Sequence, residues 1–236
     1  TGAKTCHQEQ SLPDIVAIYG TKKPQMPDAK VYVDRKEAGF HLGRMLERKY
    51  KDKNVLVLGI PRGGIVVAHQ VANVLHAELS VVITKKLPHP LQQELAIGAA
   101  AEDGSVYLTA LARNINERDV QIILDEQRSE IQSRIQRFRH GTPLPQMNER
   151  VVIIADDGIA TGSRIVPAIR LCKQRNAEKV IVAAPVSGKR YVSDIDELAD
   201  EIVISEKPEV FLSVGQVYED FHQVSDEEVV ELLNEK

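Results

Sequence analysis

Four almost wholly apolar runs, at residues 55–60, 79–83, 151–154 and 180–184, constrain this chain more than any other feature. Each has the length of a strand, and none alternates apolar with polar as a strand with one wet face would. Strands of that kind are covered on both sides, the condition of a parallel sheet between helix layers. The segments between them supply the helices. Asp34, followed three residues later by Glu37, forms a capping box ahead of Ala38, Leu42, Met45 and Leu46 at helical spacing. Residues 65–75 read as a second helix, and another passes through Cys172. Asn116 stands before a long helix with Val120, Leu124, Ile131, Ile135 and Phe138 on one face. A second capping box, Ser225 with Glu228, opens a final helix through Leu233. Shorter β segments are expected at residues 96–101 and 106–108. The predicted fold class is α/β, with a mostly parallel central sheet flanked by helices.

Hydrophobic side chains make up 43% of the chain and charged ones 27%, enough apolar material for a sizeable core. Residues 1–30 contain Pro13, Pro24 and Pro27 without periodicity, and read as a partly disordered extension to an ordered domain of residues 31–236. Within that domain the core is expected over residues 50–205, with a small hood from residues 206–236 to which the N-terminal segment is a candidate contributor. Phe211, Tyr218 and Phe221 are three of the ten Phe and Tyr residues, a density that fits packed chain.

No apolar run approaches the ~18–20 residues that cross a bilayer, so no membrane partner is expected. The net charge of −4 argues against a general nucleic-acid binder. That average hides an asymmetry. Residues 191–236 hold 14 acidic and 2 basic side chains, which leaves a net of +8 on the rest and suits a small anionic ligand. Cys6 and Cys172 make no metal spacing and no disulfide framework, which fits a reducing cytoplasm.

Ligands of open parallel sheets bind beyond the carboxyl ends of the strands, and three such ends carry unusual residues here. The strand at 151–154 runs into Asp156 and Asp157, carboxylates that are costly in an apolar setting unless hydrogen-bonded or paired with a cation. Side by side, they suit the vicinal hydroxyls of a ribose, or Mg²⁺ held through water. Ala160, Thr161, Gly162, Ser163 and Arg164 follow as a small-residue loop opening a helix, where free N–H groups and the helix dipole favour a phosphate. A capped helix with Asp157 in a turn would explain the loop but not the pair of carboxylates. The second end is Gly59-Ile60-Pro61-Arg62-Gly63-Gly64, where two glycines let backbone approach an anion and Arg62 adds a bidentate fork. It is neither a dinucleotide fingerprint nor a Walker loop. The third is Lys85-Lys86, cations suited to a polyanion, followed by Pro- and Gln-containing chain to Glu94 that reads as a mobile loop able to close over a site. His89 in that loop reads as a solvent-exposed side chain.

With these residues in view, the chain resembles the type I phosphoribosyltransferases. The segment from Val151 to Arg164 is similar to that family's motif for phosphoribosyl pyrophosphate (PRPP). Ile60-Pro61-Arg62-Gly63-Gly64, the segment Glu94 to Ala99, and Asp156 to Gly162 look like a group of these enzymes whose acceptor base is unassigned. So do Asp34-Arg35 through Gly39 and Tyr218 through Val229. The resemblance covers residues 31–236. It implies that Asp156 and Asp157 hold the ribose hydroxyls of PRPP, directly or through Mg²⁺. Ala160 to Arg164 would wrap the 5′-phosphate, and Arg62, Gly63 and Gly64 with Lys85 or Lys86 would hold the pyrophosphate. Asp156, Asp157, Arg62 and Lys86 are the catalytic candidates, and the chain near Tyr218 and Phe221 would help cover the base.

The implied activity is Mg²⁺-dependent transfer of phosphoribosyl from PRPP to a small-molecule acceptor with release of pyrophosphate. Two departures narrow it. Arg164 stands where the motif commonly has Thr. Ala160 replaces the Asp that 6-oxopurine enzymes carry before Thr-Gly, which disfavours a 6-oxopurine and leaves another nucleobase. A homodimer is the expected assembly. The alternatives are a non-catalytic PRPP- or nucleotide-sensing regulator, and an enzyme of another phosphorylated substrate. Against the latter, aspartyl phosphatases generally separate their carboxylates by one residue.

Overall fold

The computed structural model describes residues 30–235. In chain order the elements are α1 (Arg35–Tyr50), β1 (Val55–Gly59), α2 (Gly63–Leu75), β2 (Glu78–Val81), β3 (Thr84–His89), β4 (Gln92–Ala101) and β5 (Val106–Leu108). There follow α3 (Glu117–Arg139), β6 (Val151–Ala155), α4 (Ile165–Gln174), β7 (Lys179–Val186), α5 (Asp194–Leu198), β8 (Glu201–Glu206) and α6 (Asp226–Asn234). The apolar runs become neighbours in a five-stranded parallel sheet of order β2-β1-β6-β7-β8. A three-stranded antiparallel sheet, β3-β4-β5, stands beside it. The extension read into residues 1–30 lies, but for Lys30, outside the described residues.

The missing alternation has its expected cause. Val57 and Ile153 project into a core shared with Leu42 and Leu46 of α1, Ile65 of α2, Ile131 of α3 and Val229 of α6. Leu58 and Ile154, one residue along, project into a second core with Ile169 of α4 and Ile195 of α5. Side chains buried so completely contribute about 1.5–3 kcal/mol each. Among the described residues no helix is long and apolar enough to cross a membrane.

The register of β1 on β6 matters most for the site. Val55 lies opposite Val151 and Gly59 opposite Ala155, so the two strands end level. The turn Arg62-Gly63-Gly64 and the pair Asp156-Asp157 therefore leave adjacent strands at one edge.

Three local expectations need correcting. The segment expected as a mobile loop is mostly strand: β3 pairs antiparallel with β4, and the chain turns only around Pro90 and Leu91. Lys, Pro and Gln are poor strand formers, and what holds them is pairing with β4, with the register shifting at Pro88 where a backbone N–H is lacking. His89 Nδ1 accepts the Leu91 N–H at 3.2 Å across that turn. Strand β8 was not anticipated, because its apolar centre of Ile202, Val203 and Ile204 is short and set in acidic chain. At α1, Asp34 caps the Glu37 N–H as expected, but Glu37 reaches past Asp34 to accept the Val33 N–H at 2.6 Å. The box at Ser225 and Glu228 is complete.

Both ends of the described chain meet over the carboxyl edge of the sheet. The Tyr32 N–H donates to the Val217 carbonyl at 2.7 Å, and the Glu219 N–H donates to the Tyr32 carbonyl at 2.8 Å. Tyr32, Ala38, Val186, Val217 and Tyr218 pack into a small third core beneath.

Candidate active site

Helices α1, α3 and α6 begin with a side chain on their free N–H groups, from Asp34, Asn116 and Ser225. Helices α2 and α4, which follow β1 and β6, have no such cap, and an arginine occupies each cap position: Arg62 and Arg164. Two helices that follow adjacent strands, one on each face of the sheet, thus present uncapped N-termini and a guanidinium at the same edge, an electrostatic preference for anions from both. The Pro61–Arg62 peptide is cis, and Gly162 has φ +75°, in the left-handed region where glycine carries no Cβ penalty.

The two turns are in contact. A Cβ placed on Gly63 would sit 1.9 Å from Asp157 Oδ2, and one on Gly64 would lie 2.9 Å from the Ala155 carbonyl oxygen. Only glycine permits this approach, so the pair serves close packing of the anion turn on the carboxylates as well as backbone freedom.

The carboxylates have separate partners. Asp157 Oδ2 accepts from Arg35 Nε at 2.8 Å, in a pair of which both side chains are largely buried. Asp156 is buried; its Oδ1 accepts the Asp157 N–H at 3.0 Å and its Oδ2 accepts from Arg164 Nη2 at 3.3 Å. Burial pushes the Asp156 carboxyl up to about 7, Arg164 opposes that rise, and the Asp157 charge adds to it.

Two adjoining cavities open on these residues. One, of about 390 Å³, is lined by Arg35, Arg62, Gly63, Arg134, Arg164 and Phe221 among others. The second, of about 300 Å³, is lined by the chain from Asp156 to Ile165 together with Val214 and Phe221. Arg164 and Phe221 belong to both walls. In the second cavity Ser163 is buried, with its hydroxyl 3.4 Å from that of Thr161, while Ala160 and Thr161 are exposed. Phe221 stacks on Tyr218 at 5.1 Å between centroids, and the Arg35 guanidinium lies 3.8 Å from the Phe221 ring centre. The Tyr218 hydroxyl donates to the Asp157 carbonyl at 2.6 Å, and burial raises its ionisation well above the ordinary range.

Of the residues anticipated from sequence, Asp156, Asp157, Arg62, Gly63 and Ala160 to Arg164 come together here. Gly64 packs against Asp156 beneath the turn. Lys85 is 3.6 Å from Glu130; its ammonium is disfavoured first by burial and then by Arg134, with Arg164 also within electrostatic range. Lys86 is the next residue of the same strand, and successive strand side chains point to opposite faces, so the two lysines do not act from one side. Sequence reasoning assigned no role to Arg35 or Arg134. For Arg35 the signal available was its position directly after a helix cap; Arg134 is one of many charges on a long helix and carried none.

Comparison with known proteins agrees with this geometry. Residues 29–222 match the model of the phosphoribosyl transferase domain family. Two proteins of Mycobacterium tuberculosis, from strains CDC 1551 / Oshkosh and ATCC 25618 / H37Rv and each named "Putative phosphoribosyl transferase", are 39% identical to this chain over 215 residues, 87% of its length. The match covers 47% of their length, so the chain spans about half of these curated relatives. The crystal structure of TT1426 from Thermus thermophilus is 34% identical, with a TM-score of 0.73, and the match covers 86% of this chain and 97% of that one. With four-fifths of its length matched by one family model and this edge of the sheet in place, the chain belongs to the phosphoribosyl transferase domain family.

Proposed function

We propose that the protein transfers a phosphoribosyl group from PRPP to a small-molecule acceptor, a nucleobase other than a 6-oxopurine, with Mg²⁺ and release of pyrophosphate. The observation that carries this reading is the level ending of β1 and β6, which sets two anion-favouring helix starts on either side of a carboxylate pair. A sugar with a phosphate at one end and a pyrophosphate at the other suits two anion-favouring turns with carboxylates between them.

In the reaction the bond from the anomeric carbon to the pyrophosphate oxygen breaks, and the electron pair leaves with pyrophosphate. A lone pair on an acceptor nitrogen forms the new bond, and the proton on that nitrogen passes to solvent. Positive charge develops on the ribose and negative charge on the leaving group, so no protein nucleophile is required. Asp156 and Asp157 accept hydrogen bonds from the ribose hydroxyls and stabilise the first charge; Arg62, the Gly63 backbone and Lys85 or Lys86 stabilise the second. Thr161 to Arg164 hold the 5′-phosphate, and Phe221 and Tyr218 cover the reacting centre from water.

Asp156 and Asp157 are the carboxylates of this edge that Mg²⁺ would use, each now paired with an arginine. No group of three or more His, Cys, Asp or Glu side chains able to hold a metal occurs among the described residues. Magnesium is commonly bound through one or two carboxylates plus substrate phosphates, which Asp156 and Asp157 with PRPP would provide, directly or through water. When bound, it supplies charge neutralisation on the departing pyrophosphate. Ala160 offers no carboxylate to a purine ring proton, which supports an acceptor other than a 6-oxopurine.

The test is Asp157→Asn assayed for pyrophosphate release from PRPP across a panel of acceptor bases. Turnover is expected to fall by about 10²–10³-fold, the scale of losing one aligned electrostatic contact, with the far-ultraviolet spectrum unchanged. Full turnover in this variant would overturn the reading.

A further inference from the structure

Helix α3 lies outside both strand-end turns, yet one of its side chains reaches the larger cavity. Arg134 lines it together with Arg35, Arg62 and Arg164. Four guanidiniums around about 390 Å³ are an unusual concentration of like charge. Carboxylates around the cavity offset part of it. Asp226, at the start of α6, lies 3.7 Å from Arg62, also pairs with Arg137, and is the leading favourable charge on Arg134, so one carboxylate serves three arginines. Glu130, one turn before Arg134, is 3.6 Å from Lys85 and is a second favourable charge on Arg134, smaller than that of Asp226. Of the remaining cavity cations, Arg35 is paired with Asp157 and Arg164 with Asp156.

We propose that Arg134 is a direct ligand of the pyrophosphate group, so that α3 forms a third wall of the anion site beside the turns after β1 and β6. The proposal rests on the phosphoribosyl-transfer reading and adds to it a residue from an element that carries no motif. Arg134 is half-buried, and its cation is disfavoured first by burial, with Arg62 and Arg164 opposing it further. A pyrophosphate in the cavity would turn that mutual repulsion into shared attraction. Arg137, three residues on, provides a comparison. It is exposed, pairs with the same Asp226, and does not line the cavity. A role for Arg134 limited to holding Asp226 would be shared by Arg137; a role in binding pyrophosphate would not.

The experiment is calorimetry on the full chain with two probes, inorganic pyrophosphate in the presence of Mg²⁺ and ribose 5-phosphate. Arg134→Gln is expected to weaken pyrophosphate binding about tenfold to hundredfold, the value of one charge-assisted contact, while ribose 5-phosphate binding stays within about twofold. Arg134→Lys should recover part of the loss, and Arg137→Gln should bind both probes as the unaltered protein does. The unfolding midpoint of each variant reports that it is folded, and Arg134→Lys serves if Arg134→Gln is not. Pyrophosphate binding unchanged in Arg134→Gln but lost in Arg62→Gln would overturn the Arg134 assignment and leave the transfer reading standing. Equal loss of both probes in Arg134→Gln would also overturn it. An unaltered protein that binds neither probe would bring down both.

Discussion

Arg35 Nε lies 2.8 Å from Asp157 Oδ2, and the same guanidinium donates to the His222 carbonyl oxygen at 2.8 Å. One buried arginine at the start of α1 therefore ties the carboxylate at the end of β6 to the chain around Tyr218 to His222. The remaining guanidinium face lies against Phe221. Removing the side chain would leave Asp157 without its cation and that stretch of chain without its anchor. Arg35→Ala is expected to destabilise the fold by about 3–5 kcal/mol, measured by urea unfolding. Arg35→Lys should recover only part, because an ammonium cannot reproduce the planar fork that spans both acceptors. A loss below about 1 kcal/mol in Arg35→Ala, the value of a surface pair, would show that the contact is not structural.

Gly63 tests how closely the anion turn must pack on the carboxylates. In Gly63→Ala the new methyl would stand 1.9 Å from Asp157 Oδ2 and 2.9 Å from Arg35 Nε, so the turn or the carboxylate must move. The stability cost should be modest, about 1–3 kcal/mol, as for other overpacked sites. Turnover should suffer more, by about a hundredfold, because a shift near 1 Å at reacting groups has that effect. Equal turnover in the alanine variant would mean that the turn and Asp157 need not touch during the reaction.

Tyr218 bears on how the same stretch of chain positions Asp157. Its hydroxyl donates to the Asp157 carbonyl at 2.6 Å, and the side chain is fully buried. Tyr218→Phe keeps the stacking on Phe221 and leaves that carbonyl without its donor. A loss of about 1–3 kcal/mol is expected in urea unfolding, with a higher KM for PRPP as Asp157 loosens. An unchanged unfolding midpoint would show that water replaces the hydroxyl at no cost.

His222 supplies a pH dependence with a definite sign. Hydrogen bonds to Asp220 and then Glu228 raise the imidazole above its ordinary value of 6.5. A base whose folded value is raised contributes stability that is complete below the unfolded value and lost as pH rises through the folded one. The stability difference between the unaltered protein and His222→Gln should therefore be largest below the ordinary value of 6.5 and shrink as pH rises above it. The ring is 54% exposed, so the effect is small and is read as a difference in urea midpoints on either side of that value. A difference that grows with pH would contradict the assignment of its partners.

Much of the fold was legible because it rests on local patterns. The runs at 55–60, 151–154 and 180–184 are apolar on both faces, and each became a central strand with side chains entering two cores. The caps at Asp34, Asn116 and Ser225 were readable because a helix start involves only a few successive residues. Where long-range pairing outweighs local preference, the local pattern does not show the strand. Lys85, Lys86 and Pro88 form a strand because β4 supplies its partners, and β8 forms at the end of a sheet that β7 extends toward it.

The candidate site divides in the same way. Asp156-Asp157 and the loop to Arg164 lie in one continuous segment, and Arg62-Gly63-Gly64 in another, so residue types and spacing alone established two anion-favouring turns and a carboxylate pair. That these turns touch follows from the order and register of β1 and β6, whereas Arg35 reaches Asp157 and Arg134 lines the same cavity because α1 and α3 pack beside that edge. Those contacts join residues far apart in the chain, and their energy exists only after the intervening chain has packed. A periodicity that repeats every few residues carries no record of them.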